Sequence, residues 1–205
     1  MNMQKIKSII ANAMQHEANT GSLAGLVRQY AAMRGLNPTE QNIQDTVRFI
    51  KEYISQLPEF LQLIKQEAKN HNIQNHVEPL IESALQYLYN PNDLIPDHLG
   101  LLGLMDDAYY AIKMIQLISD DYRQKTGRPL ISVELARMNQ VIRTLIGEPI
   151  ASQIDAQLTG SFALPMIQNQ LQNLLAWGAT LPVYNTSYYD MQHNIDVQLG
   201  AMGVI

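Results

Sequence analysis

Cysteine is absent from the 205-residue chain, which excludes disulfides, zinc–thiolate centres and cysteine nucleophiles. Charge is scarce, at 16% of residues, and Lys and Arg number 14 against 19 Asp and Glu. The net charge of −5 argues against duplex nucleic acid, whose binding draws on clustered cations. The densest basic group, Arg123, Lys125 and Arg128, is sparse. Long apolar runs are missing too. The richest stretch, Leu94 to Ile118, is broken by Asp97, Asp106, Asp107 and Lys113, so it falls short of the roughly 20 apolar residues that span a bilayer. The N-terminal Ile9-Ile10-Ala11-Asn12-Ala13 is too short and too polar for a signal peptide. The expectation is a soluble, cytoplasmic chain.

The usual catalytic signatures are also lacking. No serine stands in a Gly-x-Ser-x-Gly elbow, and there is no phosphate-loop or dinucleotide glycine pattern and no His-Glu-x-x-His pair. His71 and His76 are five apart, which at about 100° per residue places them on different helix faces. With Glu78 they form a site only if the helix begins after His71. His98 beside Asp97 has no defined partner and reads as structural or surface.

What is present is helical periodicity. At 46% hydrophobic residues the chain can bury a core. Met3 to Met14 and Ser22 to Met33 read as two helices parted by Asn19-Thr20-Gly21. Ile43, Val47, Ile50 and Ile54 mark a helix over Thr39 to Ser55, and Pro58 opens a further one bearing Phe60, Leu61, Ile64 and Ala68. Ile73 to Tyr89 is the next, with Pro79 predicting a kink or a later start. Helices are also predicted over Asp106 to Tyr122, Ser132 to Ile146, Glu148 to Leu158 and Phe162 to Trp177. The tail around Tyr184, Tyr188 and Tyr189 reads as extended or poorly ordered, or as an arm for a neighbouring subunit. No alternation flanked by hairpin turns occurs, so the fold class is all-α, a compact multi-helix bundle with short loops. Its regions are an N-terminal helical part (1–70), a helical core (71–125), C-terminal helices (126–178) and the tail (179–205), expected to form one compact domain.

One segment departs from this pattern. Between Asn90 and Ala111 four aspartates, two prolines and two glycines punctuate an apolar stretch. Carboxylates in apolar company must be capped, paired or bound to a metal. Asp93 falls at a turn after a helix end, Asp97 follows Pro96, and Asp106-Asp107 is placed in the first turn of the next helix, where free N–H groups and the helix dipole favour carboxylates. The favoured role is therefore capping within an irregular Pro/Gly/Asp-rich connector. The alternative is a metal site, in which a chain doubling back at Gly100 to Gly103 sets Asp93, Asp97, Asp106 and Asp107 around one Mg²⁺ or Ca²⁺. The run Leu99 to Met105 would contact lipid if exposed and form core if buried; core is the expectation, since no basic cluster adjoins it.

The string Pro91-Asn92-Asp93-Leu94-Ile95-Pro96-Asp97, followed by Gly103-Leu104-Met105-Asp106-Asp107, resembles the signature of the bacterial YkvA-like family, a domain of unknown function. The resemblance covers roughly residues 75 to 118. Gly100 stands where the family usually has a further proline. The resemblance implies a small helical domain, membrane-associated in some relatives, with no established activity. Together these point to a non-catalytic module without a cofactor, acting through a protein partner, self-association or peripheral membrane contact, and not through nucleic acid.

Overall fold

The computed structural model describes residues 2–90, 94, 95 and 97–159. The fold is all-α: every regular element among the described residues is a helix. The helices are α1 (Met3–Thr20), α2 (Ser22–Met33), α3 (Glu40–Asn70), α4 (Gln74–Leu88), α5 (Leu101–Thr126), α6 (Leu135–Ile146) and α7 (Ile150–Thr159), with one 3-10 turn at Asp97–Leu99. The predicted helix over Phe162 to Trp177 and the tail lie outside the described residues.

Local chemistry sets most boundaries. Asn2 Oδ1 accepts from the Lys5 N–H and opens α1, and Gly21, in the left-handed region at φ 63°, closes it. The same bend starts α2. There the buried Glu17 carboxylate accepts from the Leu23 N–H at 3.2 Å and the Ser22 hydroxyl at 2.6 Å, so the last turn of one helix caps the first turn of the next. Thr39 and Asn42 form a reciprocal capping box at the start of α3.

Two prolines do not break the chain where the sequence suggests. The predicted helices on either side of Pro58 are one helix of 31 residues. A proline inside a helix costs about 3 kcal/mol. Leu57, Phe60, Leu61 and Ile64, all completely buried, each return about 1.5–3 kcal/mol only if the helix continues in phase. Packing wins. Pro79 likewise lies inside α4, which already begins at Gln74.

The centre of the bundle is α5. It packs against each of the other six α-helices, and Gly103 through Ile112 are all buried. A helix apolar on one stripe needs one neighbour, whereas one buried all round must be enclosed. The core it nucleates joins Ile6 and Ile10 of α1, Val27 of α2, Tyr53 of α3, Leu88 of α4, Ile142 of α6 and Ile154 of α7 in one cluster. No helix among the described residues is long and apolar enough to cross a membrane.

Candidate functional site

The punctuated segment connects α4 to α5. The last turn of α4 winds off through Tyr89 N–H to Leu85 O and Asn90 N–H to Tyr87 O, both 3.0 Å. Leu94 and Ile95 are half-buried, and Asp97–Leu99 makes the 3-10 turn. Gly100 then takes φ 68°, ψ −126°, a combination open to glycine and closed to proline, whose ring holds φ near −65°. The ring of His16, from α1, lies directly against Gly100, and the Gly100 carbonyl accepts the first α5 bond from Leu104 N–H.

Because α5 starts at Leu101, Asp106 and Asp107 are not in its first turn as the sequence pattern places them. The unbonded N–H groups of a helix belong to that first turn. Capping therefore does not account for these two carboxylates. Both residues have 0% exposure. Asp106 accepts from the Tyr87 hydroxyl of α4 at 3.3 Å, and the Tyr87 ring stacks on Tyr110, one helical turn beyond Asp106, with centroids 4.2 Å apart and planes within 4°. Burial pushes the Tyr110 hydroxyl above its usual range, against a smaller opposing effect from its hydrogen bond with Ser83. The Asp106–Tyr87–Tyr110 set is thus a clamp between α4 and α5.

The proposed metal ligands fare unevenly. Asp93 lies outside the described residues, Asp97 opens the 3-10 turn, and Asp106 and Asp107 are adjacent on α5, where neighbouring side chains diverge by about 100°. Among the described residues no group of three His, Asp or Glu side chains gathers in a manner that could hold a metal ion. The Leu99 to Met105 run faces inward: Leu99 is 38% exposed, Leu102 is half-buried, and the rest are buried.

The histidines separate. His98 is exposed, and His76 is half-buried on α4. His71 caps α3 and is buried with Nε2 3.8 Å from Glu67 Oε2, its ring 5.4 Å from that of Tyr122. Glu78 instead pairs with Lys65 at 3.1 Å.

Two polar relays were not anticipated from the sequence. Tyr53 Oη donates to Asn139 Oδ1 at 2.6 Å, and Asn139 Nδ2 donates to Gln116 Oε1 at 2.8 Å, tying α3, α5 and α6. Tyr109 Oη and Arg143 Nε both donate to the Asp155 carboxylate at 2.7 Å, tying α5, α6 and α7. The available signal was Asn139 itself, a polar residue on an α6 face otherwise built from Leu135, Met138 and Ile142.

Residues 80–112 match the model of a family described as a protein of unknown function, DUF1232. The matched segment takes in the second half of α4, the connector and the first half of α5. No curated protein and no solved structure matches the chain. The DUF1232 segment contains both members of the Tyr87–Tyr110 stack and both buried aspartates.

Proposed function

We propose that this chain is a non-catalytic, cytoplasmic helical module of the YkvA-like type that works through contact with another protein. The observation that carries this is the inward placement of the DUF1232 segment: Asp106 and Asp107 are fully buried on the central helix, and Asp106 is bonded to Tyr87 of α4, which suits an architectural role. The outside of the bundle offers interface chemistry at the end of α2. Met33 is 78% exposed there, and the Arg34 guanidinium lies over the Tyr30 ring at 5.0 Å. Tyr, Met and Arg are the side chains enriched at the centres of protein interfaces. A lipid surface is the weaker partner, because the apolar run that would insert is turned into the core.

The test is cross-linking and affinity capture from the native host with the wild type and a Met33→Asp/Arg34→Glu variant of unchanged helicity. A specific partner lost in the variant supports the proposal, and an identical set of captured proteins overturns this surface. Liposome co-sedimentation of wild type against Leu99→Asp decides the lipid alternative. Leu99 is the substitution to use, since Leu101 is completely buried. Melting with EDTA, Mg²⁺ or Ca²⁺ decides the metal alternative: an ion-dependent rise in Tm that vanishes in Asp106→Asn would replace the architectural role with a ligand-binding one.

A further inference from the structure

With no cysteine in the chain, an oxidant finds sulfur only in methionine thioethers. Those thioethers differ in access. Met105, Met114 and Met138 are buried in the core, and Met3 and Met14 are half-buried against it. A buried thioether is reached only when the fold opens. Met33, the last residue of α2, is 78% exposed, the most open large apolar side chain among the described residues. Its position adds a consequence. Tyr30, Met33 and Arg34 stand at i, i+3 and i+4, so they share one face at the end of α2, where the Arg34 guanidinium lies over the Tyr30 ring. Met33 supplies flexible apolar surface to that face, and its sulfoxide would be polar. Oxidising a core methionine disrupts packing, which is damage. Oxidation at Met33 alters the surface and leaves the bundle intact.

We propose that Met33 is a site of reversible oxidation by peroxide, whose sulfoxide turns this face from a contact surface into a solvated one. The second part rests on the interface reading above. A sulfur lone pair attacks one peroxide oxygen and the O–O bond breaks. The S=O bond forms, the proton of the transferred oxygen passes to the departing hydroxide, and water leaves. Sulfur is oxidised by two electrons and the peroxide is reduced by the same two. Methionine sulfoxide reductases return the thioether, with a dithiol oxidised to a disulfide and the oxygen released as water.

The test treats the full, folded chain with hydrogen peroxide and follows each methionine by proteolysis and mass spectrometry. Met33 sulfoxide should form about tenfold or more faster than those of Met105, Met114 and Met138, and ahead of those of Met3 and Met14. Tm should shift by no more than about 2 °C while Met33 alone among these is oxidised. Reductases for the two sulfoxide epimers, supplied with dithiothreitol, should restore the thioether in the folded protein. Oxidation of Met3, Met14, Met105, Met114 or Met138 as fast as Met33, a Met33 sulfoxide that resists the reductases, or loss of helix in step with Met33 oxidation would each overturn the proposal. In the capture experiment above, the partner should be lost in proportion to the Met33 sulfoxide and regained after reduction. Undiminished capture by the fully oxidised chain would overturn the control of contact. If the unoxidised chain captures no partner through this face, the interface reading fails, and the mass spectra decide the chemistry of Met33 on their own.

Discussion

A β-carbon on Gly100 would run into Cδ2 of the His16 ring, so the entry to the central helix and the end of α1 meet at a contact that favours glycine. Two independent costs follow for Gly100→Ala: a left-handed φ, worth about 1–3 kcal/mol, and a steric clash. His16 is exposed on its other side, so His16→Ala should change stability little. In urea unfolding, Gly100→Ala should lose about 2 kcal/mol or more, and adding His16→Ala should recover the clash but not the φ penalty. Full recovery in the double variant would show that backbone conformation at this position is unimportant.

Tyr87→Phe removes the hydroxyl that donates to Asp106 while keeping the ring that stacks on Tyr110. Losing a donor to a buried carboxylate should cost about 1–3 kcal/mol, whereas Tyr87→Leu should cost more because the stack goes as well. Equal losses for the two variants would put the whole effect in the ring.

Glu17 offers a cleaner test of local architecture. Its carboxylate holds the Leu23 N–H and the Ser22 hydroxyl from a buried position. Glu17→Ala should destabilise by about 1–2 kcal/mol. Glu17→Gln, which retains an acceptor, should lose less. Hydrogen exchange at the Leu23 amide should accelerate in the alanine variant and stay slow in the glutamine variant.

Alkaline pH should unfold the protein through its tyrosines. Burial holds the Tyr53 hydroxyl well above its ordinary value of 10.0, and at Tyr109 burial and the Asp155 hydrogen bond do the same. Raised folded-state values mean that the folded chain keeps these protons longer than the unfolded one. Their contribution is therefore complete below about pH 10 and is lost as pH rises through the folded values. Stability should be level up to about pH 10 and then fall, with phenolate absorbance of the buried tyrosines appearing together with loss of helix. Complete tyrosine titration while helicity remains would contradict this.

Tyr53→Phe tests the long-range relay. It leaves Asn139 Oδ1 without its donor inside the core, at an expected cost of about 1–3 kcal/mol, and Tyr53→Phe with Asn139→Leu should be less destabilised than the sum of the two single changes.

Periodicity alone identified an all-α chain and placed α2, α4 and α6 within a few residues, because an apolar face repeating every 3.6 residues has one economical use in water. Composition alone disposed of thiol chemistry, and one string of prolines, aspartates and glycines marked the segment that the DUF1232 match covers. Packing decided the rest. Pro58 stays inside a helix because the residues on both sides share one core, and α5 begins five residues before Asp106 because Gly100 can turn where His16 lies. The aspartates were visible in the sequence but their burial was not, since local pattern describes a residue's neighbours along the chain and not those that close over it. The same reason hid Tyr53 and Asn139, 86 positions apart, whose hydrogen bond exists only once three helices have met.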